Sequence, residues 1–159
     1  MIYTPSEIEE RYSKAGISKA ELPTLKTFLL AVFAGIYIAL GAFGSQVAAT
    51  EVEPAALGKF MGALIFPVGL LMVIMAGAEL FTGNSLIIIP VLEKKVGIKG
   101  MLRNWGIVYA GNLTGSIFVA AMLTYSHAYS IFGGKLAEAV VATAQTKVSI
   151  SFTDALLKG

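Results

Sequence analysis

Apolar residues fill this chain in blocks too continuous for the one-sided stripe of a water-soluble helix. Phe28 to Ala48 gives 21 residues without a charge, enough to cross a hydrocarbon layer roughly 30 Å thick. Trp105 to Tyr125 gives another 21, with an aromatic residue near each end as an interfacial anchor. Between them, Phe60 to Leu92 runs for 33 residues, about 50 Å at 1.5 Å per residue. That run cannot cross as one straight helix. Glu79-Leu80-Phe81-Thr82-Gly83-Asn84-Ser85 places a carboxylate, two hydroxyls, an amide and a glycine near its middle and marks where it breaks. Lipid cannot satisfy free N–H and C=O groups, so unwound backbone at that depth must be buried in protein or face a watery cavity. The pattern predicts that this segment lines a path.

The flanking segments are polar. Thr4-Pro5-Ser6-Glu7 reads as a capping box with proline at the first helical position. It opens a short amphipathic helix, with Ile8, Tyr12 and Ala15 on one face and a stop at Gly16, expected at the membrane surface. Glu51, Glu53 and Pro54 end the first crossing, and Glu93-Lys94-Lys95, Lys99 and Arg103 form a basic loop before the third. Leu136 to Val148 is weakly helical and too polar to span. Phe152 to Gly159 turns apolar again. The expected organisation is an N-terminal amphipathic cytoplasmic segment (1–27), a three-helix transmembrane repeat (28–125), an outer connecting segment (126–149) and the start of a fourth transmembrane helix (150–159). An unfinished, odd count of crossings predicts a piece of a longer protein.

Composition sharpens this reading. With 56% hydrophobic and 14% charged residues and a mean hydropathy of +0.76, the chain lies in the membrane class, and the fold class is an all-α polytopic membrane protein. A net charge of +2 gives no reason to expect a nucleic-acid partner. Cysteine is absent, which excludes disulfides and thiolate metal sites. Met1 to Glu10 carry three glutamates and no apolar stretch, so a cleaved signal peptide is not expected in this segment. Arg11, Lys14, Lys19 and Lys26 precede the first crossing and Lys94, Lys95, Lys99 and Arg103 follow the second, against Lys59, Lys135 and Lys147 on the other side. This asymmetry predicts a cytoplasmic amino terminus, and the expected location is the inner (plasma) membrane.

Ala76-Gly77-Ala78-Glu79-Leu80-Phe81-Thr82-Gly83-Asn84-Ser85 resembles the first signature of the formate/nitrite transporter family, a small residue, glycine, small residue, acid, then Leu-Phe-Thr. Leu25-Lys26-Thr27-Phe28, Asn104-Trp105, Gly111-Asn112 and Lys147-Val148 are similar to the family in the same order, so the resemblance covers nearly the whole chain, and it leans towards the hydrosulfide channel branch. It implies an aquaporin-like inverted-repeat helical bundle with a broken second transmembrane helix. It also implies a homopentamer with one pore per protomer, no cofactor, and a small monovalent anion (formate, nitrite or hydrosulfide) as substrate. Inverted repeats commonly hold the substrate near the midplane at broken helices. The family's second break, with its pore histidine, has no counterpart among these residues.

The same resemblance implies that Leu80 and Phe81 form a loop gate and that Phe66 and Leu70, four residues apart on one helical face, form a second apolar ring. Without it, Phe66 and Leu70 read as ordinary lipid or neighbour contacts. Thr82 offers a hydroxyl that can donate to a passing anion without a charge that would trap it; alternatively it bonds loop backbone. Gly83-Asn84-Ser85 is expected to begin the second half-helix. Glu79 and Asn84 are read as loop-stabilising, the carboxylate collecting N–H groups freed by the break. Lys147 either concentrates anions in a vestibule or is an ordinary solvated flank.

Gly106, Gly111 and Gly115 give the third crossing a small packing face, and His127 reads as surface. Other function classes rest on less. An intramembrane serine protease would use Ser85 in the Gly83-Asn84-Ser85 turn but needs a base within reach. A haem-anchoring subunit would need histidines on the spans. The charge asymmetry makes a direct prediction. A cysteine replacing Lys95 reacts with an impermeant thiol reagent only from the cytoplasmic face; labelling from outside would invert the topology.

Overall fold

The computed structural model describes residues 3–158; Met1, Ile2 and Gly159, at the ends of the first and last expected segments, lie outside the described residues. The elements are all helical. They are α1 (Pro5–Glu21), α2 (Thr24–Ala49), α3 (Ala55–Ile65), α4 (Pro67–Ala76), α5 (Phe81–Asn84), α6 (Ile88–Leu92), α7 (Ile98–Tyr125), α8 (Lys135–Val148) and α9 (Phe152–Lys158). Short 3-10 turns at Ser85–Ile87 and Ala128–Gly134 join α5 to α6 and lead into α8. Three stretches, Thr24–Ala49, Ala55–Ala76 and Ile98–Tyr125, are long and apolar enough to cross a membrane by length and composition.

The first and third of these helices form the centre. Their buried positions are mostly small or polar, Thr27, Ala31, Ala34, Gly35 and Gly41 on α2 and Asn104, Val108, Gly111, Gly115 and Val119 on α7, with Met101 the one long side chain among them. Large residues such as Leu29, Phe33, Tyr109, Ile117 and Phe118 point outward. A water-soluble protein arranges these the other way round; small residues inside let helix backbones approach where the solvent is itself apolar. The approach is closest where Gly35 faces the Asn112 backbone and Gly115 faces the Val32 carbonyl, contacts that leave no room for a Cβ. The expected small face is thus real at Gly111 and Gly115. Gly106 meets nothing within 4 Å and does not belong to it.

Two boundaries differ from the sequence reading. Glycine commonly ends a helix, but α1 runs on through Gly16 to Glu21, because Gly16 is buried against the Pro90 ring and serves close packing. Consequently α1 docks by its Ser13 and Gly16 face on α6, while Ile8 and Tyr12, the expected apolar face, are exposed. Its capping box forms as read: the Thr4 hydroxyl accepts from the Glu7 N–H and the Glu7 carboxylate accepts from the Thr4 N–H, a backbone bond that holds the Glu7 carboxyl below its usual range. Lys99 and Arg103, assigned to a basic loop, stand on the first turns of α7, which starts at Ile98.

Side-chain bonds gather each end of the helices. At one, Lys95 donates to Ser13, Ser13 donates to Glu93, and Arg103 reaches the Leu22 carbonyl and Thr24 hydroxyl. At the other, Lys135 pairs with Glu51 at 2.6 Å, which raises the Lys135 pKa, and Gln46 donates to Thr143. Replacing Gly35 by alanine forces α7 off α2 and costs about 1–3 kcal/mol of overpacking, whereas Gly106→Ala, in open space, is neutral or slightly stabilising. Thermal melting of the two purified variants should separate them; equal melting temperatures would mean the contact does not limit packing.

Candidate functional site

The long apolar run stops being helical at Ala76. Gly77 takes the left-handed conformation (φ 61°, ψ 32°) that glycine adopts without a Cβ penalty. Its N–H bonds Ile74 O at 3.2 Å, and the next N–H, of Ala78, bonds Val73 O at 3.0 Å, the paired closure that ends many helices. Leu80 is extended (φ −103°, ψ 133°) and caps α5, whose first backbone bond runs from Asn84 N to Leu80 O at 3.0 Å. The helix therefore resumes at Phe81, two residues before the expected start at Gly83.

Backbone groups released at the break are taken up by α2 and α7. Glu79 N donates to Leu30 O at 3.2 Å. The Asn112 side chain accepts from Phe81 N at 2.9 Å and donates to Glu79 O at 2.9 Å and Ala31 O at 2.8 Å. The Glu79 carboxylate does not collect these N–H groups, contrary to expectation, because its side chain turns towards α1. There Lys19 Nζ donates to Glu79 Oε1 at 2.7 Å and Asn84 Oδ1 at 3.1 Å. Asn84 Nδ2 donates to Glu79 Oε2 at 2.6 Å and Asn104 Oδ1 at 2.8 Å, and Asn104 Nδ2 returns to Lys19 O at 3.0 Å. Trp105 Nε1 adds a bond to Asn84 O at 2.8 Å. The circuit ties α1, the break and α7 together. Glu79, Asn84 and Asn104 are buried, and among the described residues no buried side-chain nitrogen or oxygen lacks a partner.

One groove of about 630 Å³ opens along the break. Leu70, Leu80, Thr82, Glu79 and Asn84 of the expected site line it, with Lys19 at its edge. Phe66 and Phe81 do not. Phe66 lies one turn before Leu70, exposed at the junction of α3 and α4. The Phe81 ring turns the other way, 6.1 Å from the Trp105 ring and edge-on to Tyr109 at 5.9 Å. Leu80 is extended, and side chains two apart across extended backbone point the same way, so at this junction Leu80 and Thr82 face the groove while Phe81 between them meets α7. Lys147 stands on the exposed last turn of α8, outside the groove.

Thr82 is exposed, and its hydroxyl bonds no other described group; Ser85 Oγ donates to the Thr82 carbonyl at 2.6 Å. The alternative in which the Thr82 hydroxyl is spent on loop backbone is therefore not what the fold shows. The same bond engages Ser85, and His127 lies beyond the far end of α7, so nothing favours a serine nucleophile.

Sequence reasoning counted Lys19 only as a flanking cation, took Trp105 for an interfacial anchor, and quoted Asn104 and Asn112 as family matches without giving either a role. Their signal was available: an amide inside an uncharged span is costly unless it is used.

Comparison with known proteins identifies the family. The family model for the formate/nitrite transporter matches residues 6–159. The chain belongs to the formate/nitrite transporter family. An uncharacterized transporter, YrhG, from Bacillus subtilis (strain 168) is 36% identical over 156 residues, covering 96% of this chain and 58% of that protein. The formate channel FocA of Escherichia coli (strain K12) is 32% identical over 158 residues, covering 98% and 55%. A solved structure, a pentameric formate channel with formate bound, superposes with a TM-score of 0.74 at 34% identity, covering 83% of this chain and 52% of that one. The chain thus spans about half the length of the curated relatives it matches. Transporter-family membership and three apolar helices of spanning length make it a multi-pass membrane protein.

Within this family member, the Lys19–Glu79 pair should be energetically coupled. Lys19 keeps 30% of its side chain exposed against 6% for Glu79. Solvent screening therefore trims the cost of Glu79→Gln to about 1–2 kcal/mol, below the roughly 3–5 typical of a closed buried pair. A double-mutant cycle of thermal stability with Lys19→Met should give a coupling of at least about 1 kcal/mol; strictly additive losses would show that the two charges act independently.

Proposed function

We propose that the groove at the break is half of a path for small monovalent anions, formate foremost, through a pore formed in each protomer of a homopentamer. The observation that carries this reading is the juxtaposition of Leu70, Leu80 and an uncommitted Thr82 hydroxyl on one groove at a helix break. Apolar Leu70 and Leu80 disfavour a hydrated ion, while Thr82 replaces part of the lost hydration without a fixed charge, so binding stays weak enough to release. Glu79 would repel an anion if bare; Lys19 neutralises it at 2.7 Å. In this arrangement Glu79 and Asn84 hold the break, Phe66 narrows the path one turn beyond Leu70, Phe81 backs the loop against α7, and Lys147 draws anions towards the outer mouth.

The break divides one membrane span, Ala55–Ala76 followed by Phe81–Leu92. An inverted second repeat would supply the opposite wall in an aquaporin-like bundle. The cationic end, which gathers α1, Lys95 and Arg103, faces the cytoplasm from the inner membrane. FocA and the pentameric solved structure carry formate in their descriptions, which favours formate over the hydrosulfide towards which the sequence resemblance leans.

Thr82→Val should lower formate flux into liposomes by about tenfold, the value of one lost hydrogen bond, and Leu80→Ala should admit larger carboxylates. Radiolabelled formate, nitrite and hydrosulfide compared in one assay order the substrates. Flux and selectivity unchanged in both variants would remove the groove from the conduction path.

A further inference from the structure

We propose that Asn112 is the positioning residue of this site: without touching the anion, its amide fixes the aim of Leu80 and Thr82 and thereby the selectivity of the path. The functional half of this inference rests on the anion path proposed above; the structural half does not. Asn112 lies on α7 behind the break and is absent from the groove lining. Its side chain meets one backbone group on each side of Leu80, the Glu79 carbonyl and the Phe81 N–H, both at 2.9 Å. Leu80 is extended, so neither group has its usual helical partner in line. The remaining amide hydrogen goes to Ala31 O on α2 at 2.8 Å.

Both donors and the acceptor are therefore engaged, and a flipped amide would set donor against donor at Phe81 N and acceptor against acceptor at the two carbonyls. Leucine offers no polar group, aspartate lacks the two donors, and glutamine carries its amide one methylene further from the backbone. The reach is short because Gly35 lets the α7 backbone settle on α2 at Asn112 itself. With its flanking peptide groups pinned, Leu80 is held towards the groove, and Thr82 follows two residues into α5.

The chain has no cysteine, so single cysteines report local geometry cleanly. The test uses the full chain reconstituted in liposomes, with Thr82→Cys as the site probe and Tyr125→Cys, at the exposed end of α7, as the remote control. Introducing Asn112→Leu should change the rate at which the site-probe thiol reacts with a small methanethiosulfonate by about tenfold or more while leaving the control thiol unchanged. Without the probes, it should lower the formate-to-chloride permeability ratio by about tenfold, the scale of one misplaced hydrogen bond. If Asn112→Leu does not assemble, Asn112→Ser, with room for a bridging water, is put through the same comparison. Unchanged reactivity of the site probe together with an unchanged permeability ratio, or equal changes at both thiols, would overturn the assignment. If the unmodified protein conducts no formate, the transport reading fails, and the thiol comparison alone decides whether Asn112 positions the break.

Discussion

The structure depends on satisfying the backbone where the chain stops being helical between Ala76 and Phe81. In water, that interruption would cost little, since solvent completes the bonding. In a bilayer each orphaned peptide group costs several kcal/mol, so the surrounding helices must supply what solvent cannot. The fold does this with close-packed backbone and an amide. Leu30 of α2 lends its carbonyl to the Glu79 N–H, Asn112 of α7 brackets Leu80 while donating to the Ala31 carbonyl, and Gly35 brings the two helices near enough for that to work.

Charge at the same place follows similar logic. Glu79 is buried between helices, a position that is sustainable because Lys19 reaches it from α1 and Asn84 occupies its second oxygen. The consequence is mechanical as well as electrostatic. α1 lies outside the apolar core, yet its ammonium is bonded to the break and its backbone to Asn104. In an anion path this arrangement leaves Thr82 as the uncommitted donor on a groove whose nearby carboxylate has been neutralised.

How much of this could be read from the residues divides along sequence distance. The helices were legible, because uncharged blocks near the span length and a run of 33 residues leave few choices. An interruption near the polar Glu79-to-Ser85 stretch was legible too, since polar groups in an apolar run are costly without purpose, but the unwound backbone falls at Gly77 to Leu80 and Phe81–Asn84 is already helical. Its bracing was not. Glu79 meets a lysine 60 residues earlier, and Phe81 meets an asparagine 31 residues later; no local pattern encodes such pairings, and Lys19 looked like one more flanking cation. Gly16 misled for a related reason, as a glycine that stops a helix and one that admits a neighbour's Pro90 are identical in sequence. The direction of Phe81 depended on which residue the new helix starts from, a matter of two positions.

The most direct test of the central claim is the distance from a bound anion to Thr82 Oγ1 in a structure of the full-length assembly solved in lipid with formate present. The account predicts an anion within about 3.2 Å of that oxygen, beside backbone that remains unwound from Gly77 to Leu80. Helical bonding that runs unbroken from Ala76 to Phe81, or an anion path that leaves this groove empty, would contradict it.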